Sequence, residues 1–160
     1  AHLGARRIVA SDGITEVMEA MQANLQRNAP SIEVRRLDWP EAGRRRWPEA
    51  EQFDVVLFAD GIYSERGAFL LADAATSLLR PGGVLAAALP DLRCGINSFE
   101  RDLASRGFAA ETVPLSPELL SAASRPHADP AAPGLIAGGS VDGYRIVVWR
   151  QGPAPEAAGR

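Results

Sequence analysis

The sequence predicts an α/β fold: a mostly parallel sheet covered by helices and ending in an antiparallel hairpin. Three observations carry this expectation. Short uncharged runs such as Val84 to Leu89 recur along the chain, as strands buried on both faces require. Between them lie segments whose apolar residues repeat at helical spacing. The last two strand-like segments have no helical segment between them, so they are expected to pair antiparallel.

Taken in order, Ile8 to Ala10 forms the first apolar run, closed by Ser11-Asp12-Gly13. Ile14, Val17, Met18, Met21 and Leu25 then make one helical stripe, stopped by Asn28 and Pro30. Ile32 to Leu37 alternates apolar and charged residues, as an outer strand with one wet face does. Asp38 to Gln52 carries Pro40, Gly43 and Pro48 and is expected to be loop. Phe53 to Ala59 is a buried strand ending at Asp60-Gly61. Arg66 to Leu79 is helical, with Leu71, Ala74, Ala75, Leu78 and Leu79 inward and Pro81-Gly82-Gly83 as its stop. Val84 to Leu89 is the next interior strand. Asn97 and Glu100 have the spacing of a capping box for a helix closed by Gly107. Ala109 to Val113 and Tyr144 to Trp149 complete the strands, separated by a polar, Pro-rich stretch too long for an ordinary connection.

Composition narrows the function classes. With 46% hydrophobic and 23% charged residues, the chain of 160 residues has the make-up of one globular domain. No apolar run approaches the roughly 20 residues of a membrane span, and the first residues do not read as a signal peptide. A net charge of -3 gives no reason to expect nucleic acid or membrane as a partner. The basic run Arg44 to Arg46 is explained by a solvated loop. A single cysteine, Cys94, fits a reducing compartment, cytoplasm or nucleus. His2 and His127 are far apart, and one Cys cannot build a zinc site, so no metal is expected. No nucleophile elbow or Ser-His-Asp order is present.

In open α/β sheets ligands bind beyond the carboxyl ends of the strands, which directs attention to three polar strand ends. Asp12 suits a ribose, whose two hydroxyls a carboxylate can accept, and equally suits a helix cap. Trp39 offers a broad face for a ring, or a cover for the core. Asp60 and Tyr63 stand three apart, so both can face one pocket or simply shape a turn.

Five segments in order, GARRIVASD, NLQRN, VRRLDW, FDVVLFADGIYS and LLRPGGVL, make residues 5 to 113 resemble the class I, seven-strand S-adenosylmethionine-dependent methyltransferases that modify protein lysines. The Asp-x-x-Tyr motif, here Asp60-Gly61-Ile62-Tyr63, distinguishes that family from other methyltransferases. The resemblance implies a Rossmann-like fold, S-adenosyl-L-methionine as cofactor and a lysine-bearing protein as substrate. It implies that Asp12 binds the ribose hydroxyls, that Asp38 and Trp39 sit at the adenine, and that Ala59 and Asp60 lie near the methionine part. Asp60 and Tyr63 would line the way in for the target amine.

In that family a first strand and a glycine-rich loop precede the segment that opens here. Residues 1–150 are therefore expected to form a partial methyltransferase domain, with 114–143 a variable insertion or lid and 151–160 a disordered tail. The first strand normally lies mid-sheet, so two strands should stand apart from the rest. Such a gap exposes unpaired backbone groups on both sides. Two other readings compete: a dinucleotide-binding oxidoreductase, against which Asp-x-x-Tyr and Pro-Gly-Gly speak, and a non-catalytic remnant or interaction module.

Overall fold

The computed structural model describes residues 4–114 and 143–152. Ten elements follow one another: β1 (Val9–Asp12), α1 (Thr15–Asn28), β2 (Glu33–Arg36), α2 (Trp39–Arg44), β3 (Phe53–Ala59), α3 (Glu65–Leu78), β4 (Leu79–Pro90), α4 (Ile96–Ser105), β5 (Phe108–Val113) and β6 (Tyr144–Gln151), with a short 3-10 turn at Glu49–Glu51. None of these helices is long and apolar enough to cross a membrane. The stretch expected to be an insertion and most of the expected tail lie outside the described residues.

The sheet is in two pieces, as the strand order anticipated. β1 and β2 pair in parallel, and the other four strands run β3-β4-β6-β5. β3 and β4 are parallel, whereas β6 is antiparallel to both β4 and β5. The hairpin expectation for the last two strands holds, and β6 also enters between β4 and β5. Two side-chain contacts bridge the pieces. The Arg7 guanidinium lies over the Phe53 ring, 5.1 Å from its centroid. At the opposite ends of the strands, the Trp39 ring reaches Gly61, within 3.9 Å of where a β-carbon would stand.

The core lies where the four-stranded piece meets α3 and α4. Leu85, Ala87 and Leu89 alternate along β4 toward Ala68, Leu71, Ala72 and Ala75 of α3. Alanines on that helix face let it approach the sheet closely. Phe99 of α4 is wholly buried, with its ring edge-to-face against Phe58 of β3 at 5.4 Å and Trp149 of β6 at 5.6 Å. That geometry matches the ring quadrupoles and ties one helix to two strands. Arg106 joins α4 to α3 through Asp73, Asp102 and Thr76. Burial pulls its pKa down, but the hydrogen bonds to the two carboxylates prevail and hold it above the ordinary arginine value.

Three expectations need correction. Asp38 to Gln52 is not simply loop, because it holds α2 and the 3-10 turn. Asp38 caps α2, Pro40 occupies its first turn, where a missing N–H costs nothing, and Gly43 is there for packing. A β-carbon on Gly43 would stand 2.6 Å from the Asp73 β-carbon of α3. The Asn97–Glu100 capping box does not form: α4 starts at Ile96, capped by Gly95 in the left-handed conformation. Pro81-Gly82-Gly83 does not stop α3, which already ends at Leu78. It forms a bulge inside β4, where the register jumps from Phe53–Leu79 to Val55–Val84 and Gly82 has φ 77°. The stripe on α1 is also less covered than its pattern suggests. No α1 residue is buried, since the helix packs only on the two-stranded piece.

Phe99→Ala should lower stability by about 3–5 kcal/mol, the cost of an aromatic cavity in a close-packed core. Urea unfolding would show this as a lower midpoint at unchanged slope; a loss under about 1 kcal/mol would show that the ring stack is not the core.

Candidate functional site

Six residues were expected at the site, and all lie at the carboxyl ends of β1, β2 and β3. Asp12 ends β1, and its Oδ1 accepts a hydrogen bond from the Ile14 amide at 2.8 Å, turning the chain into α1. Its other oxygen has no hydrogen bond among the described residues, so the turn uses half of the carboxylate. Asp38 follows β2 and caps α2, with Oδ1 accepting from the Glu41 amide at 3.1 Å. A bond from the Leu37 amide to the Asp12 carbonyl, 2.9 Å, fastens these two strand ends together. Trp39 is half-buried and packs against both core clusters, so one part of the ring covers core while its edge reaches Gly61. No hydrogen bond or ion pair joins Asp12 or Asp38 to Asp60 among the described residues.

The third strand end carries the most unusual backbone. Ala59 closes β3, and the Asp60 amide donates to the Ala88 carbonyl at 3.0 Å, which extends the β3–β4 ladder by one bond. Asp60 then takes φ 49°, the only positive φ among the described residues other than glycine. That conformation costs roughly 1 kcal/mol for a residue with a β-carbon, though Asp and Asn tolerate it best. The turn aims Ile62 inward, where it is 1% exposed, and throws Tyr63 outward at 68%. Ser64 caps α3 by accepting from the Gly67 amide at 3.0 Å. An inward Ile between an outward Asp and Tyr is the local reason the motif presents a carboxylate and a phenol together.

Two residues without a signal in the spacing complete the cluster. Arg93, on the loop between β4 and α4, brings Nη1 to 2.8 Å from Asp60 Oδ1 and lays its guanidinium over the Tyr63 ring at 5.0 Å. Tyr144, the first residue of β6, donates its hydroxyl toward Asp60 Oδ2 at 3.4 Å. Neither was legible beforehand, because both come from segments distant in sequence. Gly95 makes their convergence possible. At φ 94° it packs against the loop that carries Tyr63, and a β-carbon there would lie 2.6 Å from the Ser64 carbonyl oxygen and 3.0 Å from Ile62.

Gly95→Ala should therefore destabilise by about 1–3 kcal/mol and separate the two loops. Gly107→Ala is the control, since Gly107 has φ 84° but open space around it. Equal losses in thermal unfolding of the two variants would show that the close approach at Ser64 carries no energy.

Comparison with known proteins places this geometry. In solved structures the chain is similar to a methyltransferase from Pyrococcus furiosus, at 20% identity and TM-score 0.59, with 92% of this chain and 64% of that one covered. It is similar to the ribosomal protein L11 methylase of Lactobacillus delbrueckii subsp. bulgaricus, at 16% identity and TM-score 0.59, covering 94% and 61%. It is similar, too, to the O-methyltransferase of Bacillus cereus in complex with SAH, at 15% identity and TM-score 0.54, covering 91% and 63%. The chain thus spans less than two thirds of the length of each of these structures. At these identities the likeness establishes the fold, a Rossmann-like class I methyltransferase fold. No curated protein matches the chain in sequence. The family described as lysine methyltransferase matches residues 1–92, more than half of the chain and the whole of the Asp-x-x-Tyr region. The chain belongs to the lysine methyltransferase family.

Proposed function

We propose that the complete domain transfers a methyl group from S-adenosyl-L-methionine to the amine of a lysine side chain on a protein. The observation that carries this reading is the pairing of Asp60 and Tyr63 beyond the β3 strand end, held by a strained backbone, with the Tyr63 ring open to solvent. Strain of this kind persists where the surrounding structure over-determines it, and it clusters at functional sites.

The residues fit the cofactor. Asp12 has one carboxylate oxygen free of its turn, which would take ribose hydroxyls; Asp38 and Trp39 at the adjoining strand end would take the adenine, and Ala59 and Asp60 would border the methionine part. Bound S-adenosyl-L-methionine supplies an electrophilic methyl group on sulfur. The chain supplies orientation. A lysine amine attacks only when neutral, yet a free lysine has a pKa of about 10.4. A carboxylate beside it favours the ammonium form, so Asp60 is a poor base. Its work is to hold the amine, while the Tyr63 ring offers its face to the same cation and its hydroxyl a further contact. The proton passes to water before attack.

The divided sheet supports a second reading for the described residues alone, an interaction module without catalysis. Titration separates these. The methyl-transfer reading expects S-adenosylhomocysteine to bind and to raise the melting temperature, with NAD inert; NAD binding in its place would identify an oxidoreductase, and no binding of either would favour the module. On a lysine peptide, Asp60→Ala should lower kcat by about 100-fold, the scale of a lost positioning contact. Near-normal turnover in that variant would remove Asp60 from the site.

A further inference from the structure

The contact between Arg93 and Asp60 is close but badly aimed. Nη1 stands 2.8 Å from Oδ1, yet Oδ1 is a buried oxygen that accepts no aligned hydrogen bond among the described residues. A guanidinium is a rigid planar fork and satisfies a carboxylate best in a bidentate arrangement. Here the fork instead lies across the Tyr63 ring, and one buried lone pair goes without an aligned donor. Tyr144 reaches the other oxygen at 3.4 Å, a long bond. A buried carboxylate oxygen, flanked by one exposed phenol ring and a second phenol hydroxyl, is a seat for a cation. Its present occupant charges it correctly and fits it poorly.

A compact ammonium on a flexible stem suits such a seat better, because its three donors can turn to meet the oxygen. Arg93 opposes its arrival, since the two like charges repel each other at one short carboxylate whose second oxygen already faces Tyr144. The way out for Arg93 is open. Its side chain is 30% exposed, and Asp91, Leu92 and Cys94 around it are exposed, with Leu92 at 95%.

We propose that Arg93 is the resident occupant of a cation seat formed by Asp60, Tyr63 and Tyr144, and that a substrate ammonium takes the seat by displacing it. Arg93 is thereby a specificity-determining residue: it admits only a cation that satisfies Asp60 better than a guanidinium does. The identity of the arriving cation rests on the methyl-transfer reading; the seat itself does not.

The chain has two tyrosines, so ring-labelled tyrosine gives two assignable NMR signals. n-Butylammonium chloride is titrated into the full chain against sodium chloride of equal ionic strength, with the Arg93 Nε signal followed in parallel. In the wild-type protein, butylammonium should shift the Tyr63 ring and release Arg93 to a solvent-like position. Arg93→Gln should bind the probe about tenfold more tightly or better, since apparent affinity falls with the fraction of molecules whose seat is taken. Arg93→Lys should bind the probe more weakly than wild type, since a resident ammonium fills the seat better than the guanidinium, and Asp60→Asn combined with Arg93→Gln should show no response. Equal or weaker binding in Arg93→Gln overturns the proposal, as does an unaltered response in the double variant. If Arg93→Gln does not fold, the wild-type titration decides: a moving Tyr63 with a stationary Arg93 overturns it. Ammonium displacement without S-adenosylhomocysteine binding would leave the seat standing and remove the methyl-transfer reading.

Discussion

The buried ring of Phe99, wedged edge-on between Phe58 and Trp149, fixes where α4 sits on the sheet, and the site depends on that position. Once α4 is held, its first residues must come down at Ser64, and Gly95 is the residue that permits the contact. Ile62 fills the space beneath. The carboxylate of Asp60 and the guanidinium of Arg93 are thereby brought face to face. Core packing, which is non-directional, is thus converted into the placement of two charges by one helix and one glycine.

Much of the architecture was legible because each signal was local. The apolar runs of β3 and β4, the small-residue face of α3 and the Asp-x-x-Tyr spacing are properties of short windows. What escaped was non-local. Pro40 and Gly43 looked like loop residues, and only the presence of α3 against Gly43 explains them as parts of a helix. Pro81-Gly82-Gly83 looked like a stop because the same residues that end helices also build bulges. Arg93 and Tyr144 could not be found by spacing at all, as they reach Asp60 from 33 and 84 positions away in the chain.

The three strand ends differ in how much of the site they complete. At β3 the carboxylate, both phenols and an opposing cation are assembled within contact distance. At β1 and β2 the carboxylates of Asp12 and Asp38 are partly spent on the turns that shape their own helices. This is the usual economy of a strand-to-helix turn, where one side chain both caps and presents. The proposed amine side therefore rests on the four-stranded piece alone, and the proposed ribose side rests on the two-stranded one.

At Leu78–Leu79 the chain passes from α3 to β4 with no residue between them. The chain turns directly back on itself there, and Leu71, Ala72 and Ala75 of the helix pack against Leu85, Ala87 and Leu89 of the strand. The ends of this pair carry the two walls of the proposed amine site: Tyr63 precedes α3 and Arg93 follows β4. Walls mounted on one packed pair cannot part without opening the core between them. Access must come from side chains turning on a fixed frame, which is motion on the timescale of rotamers and not of domains.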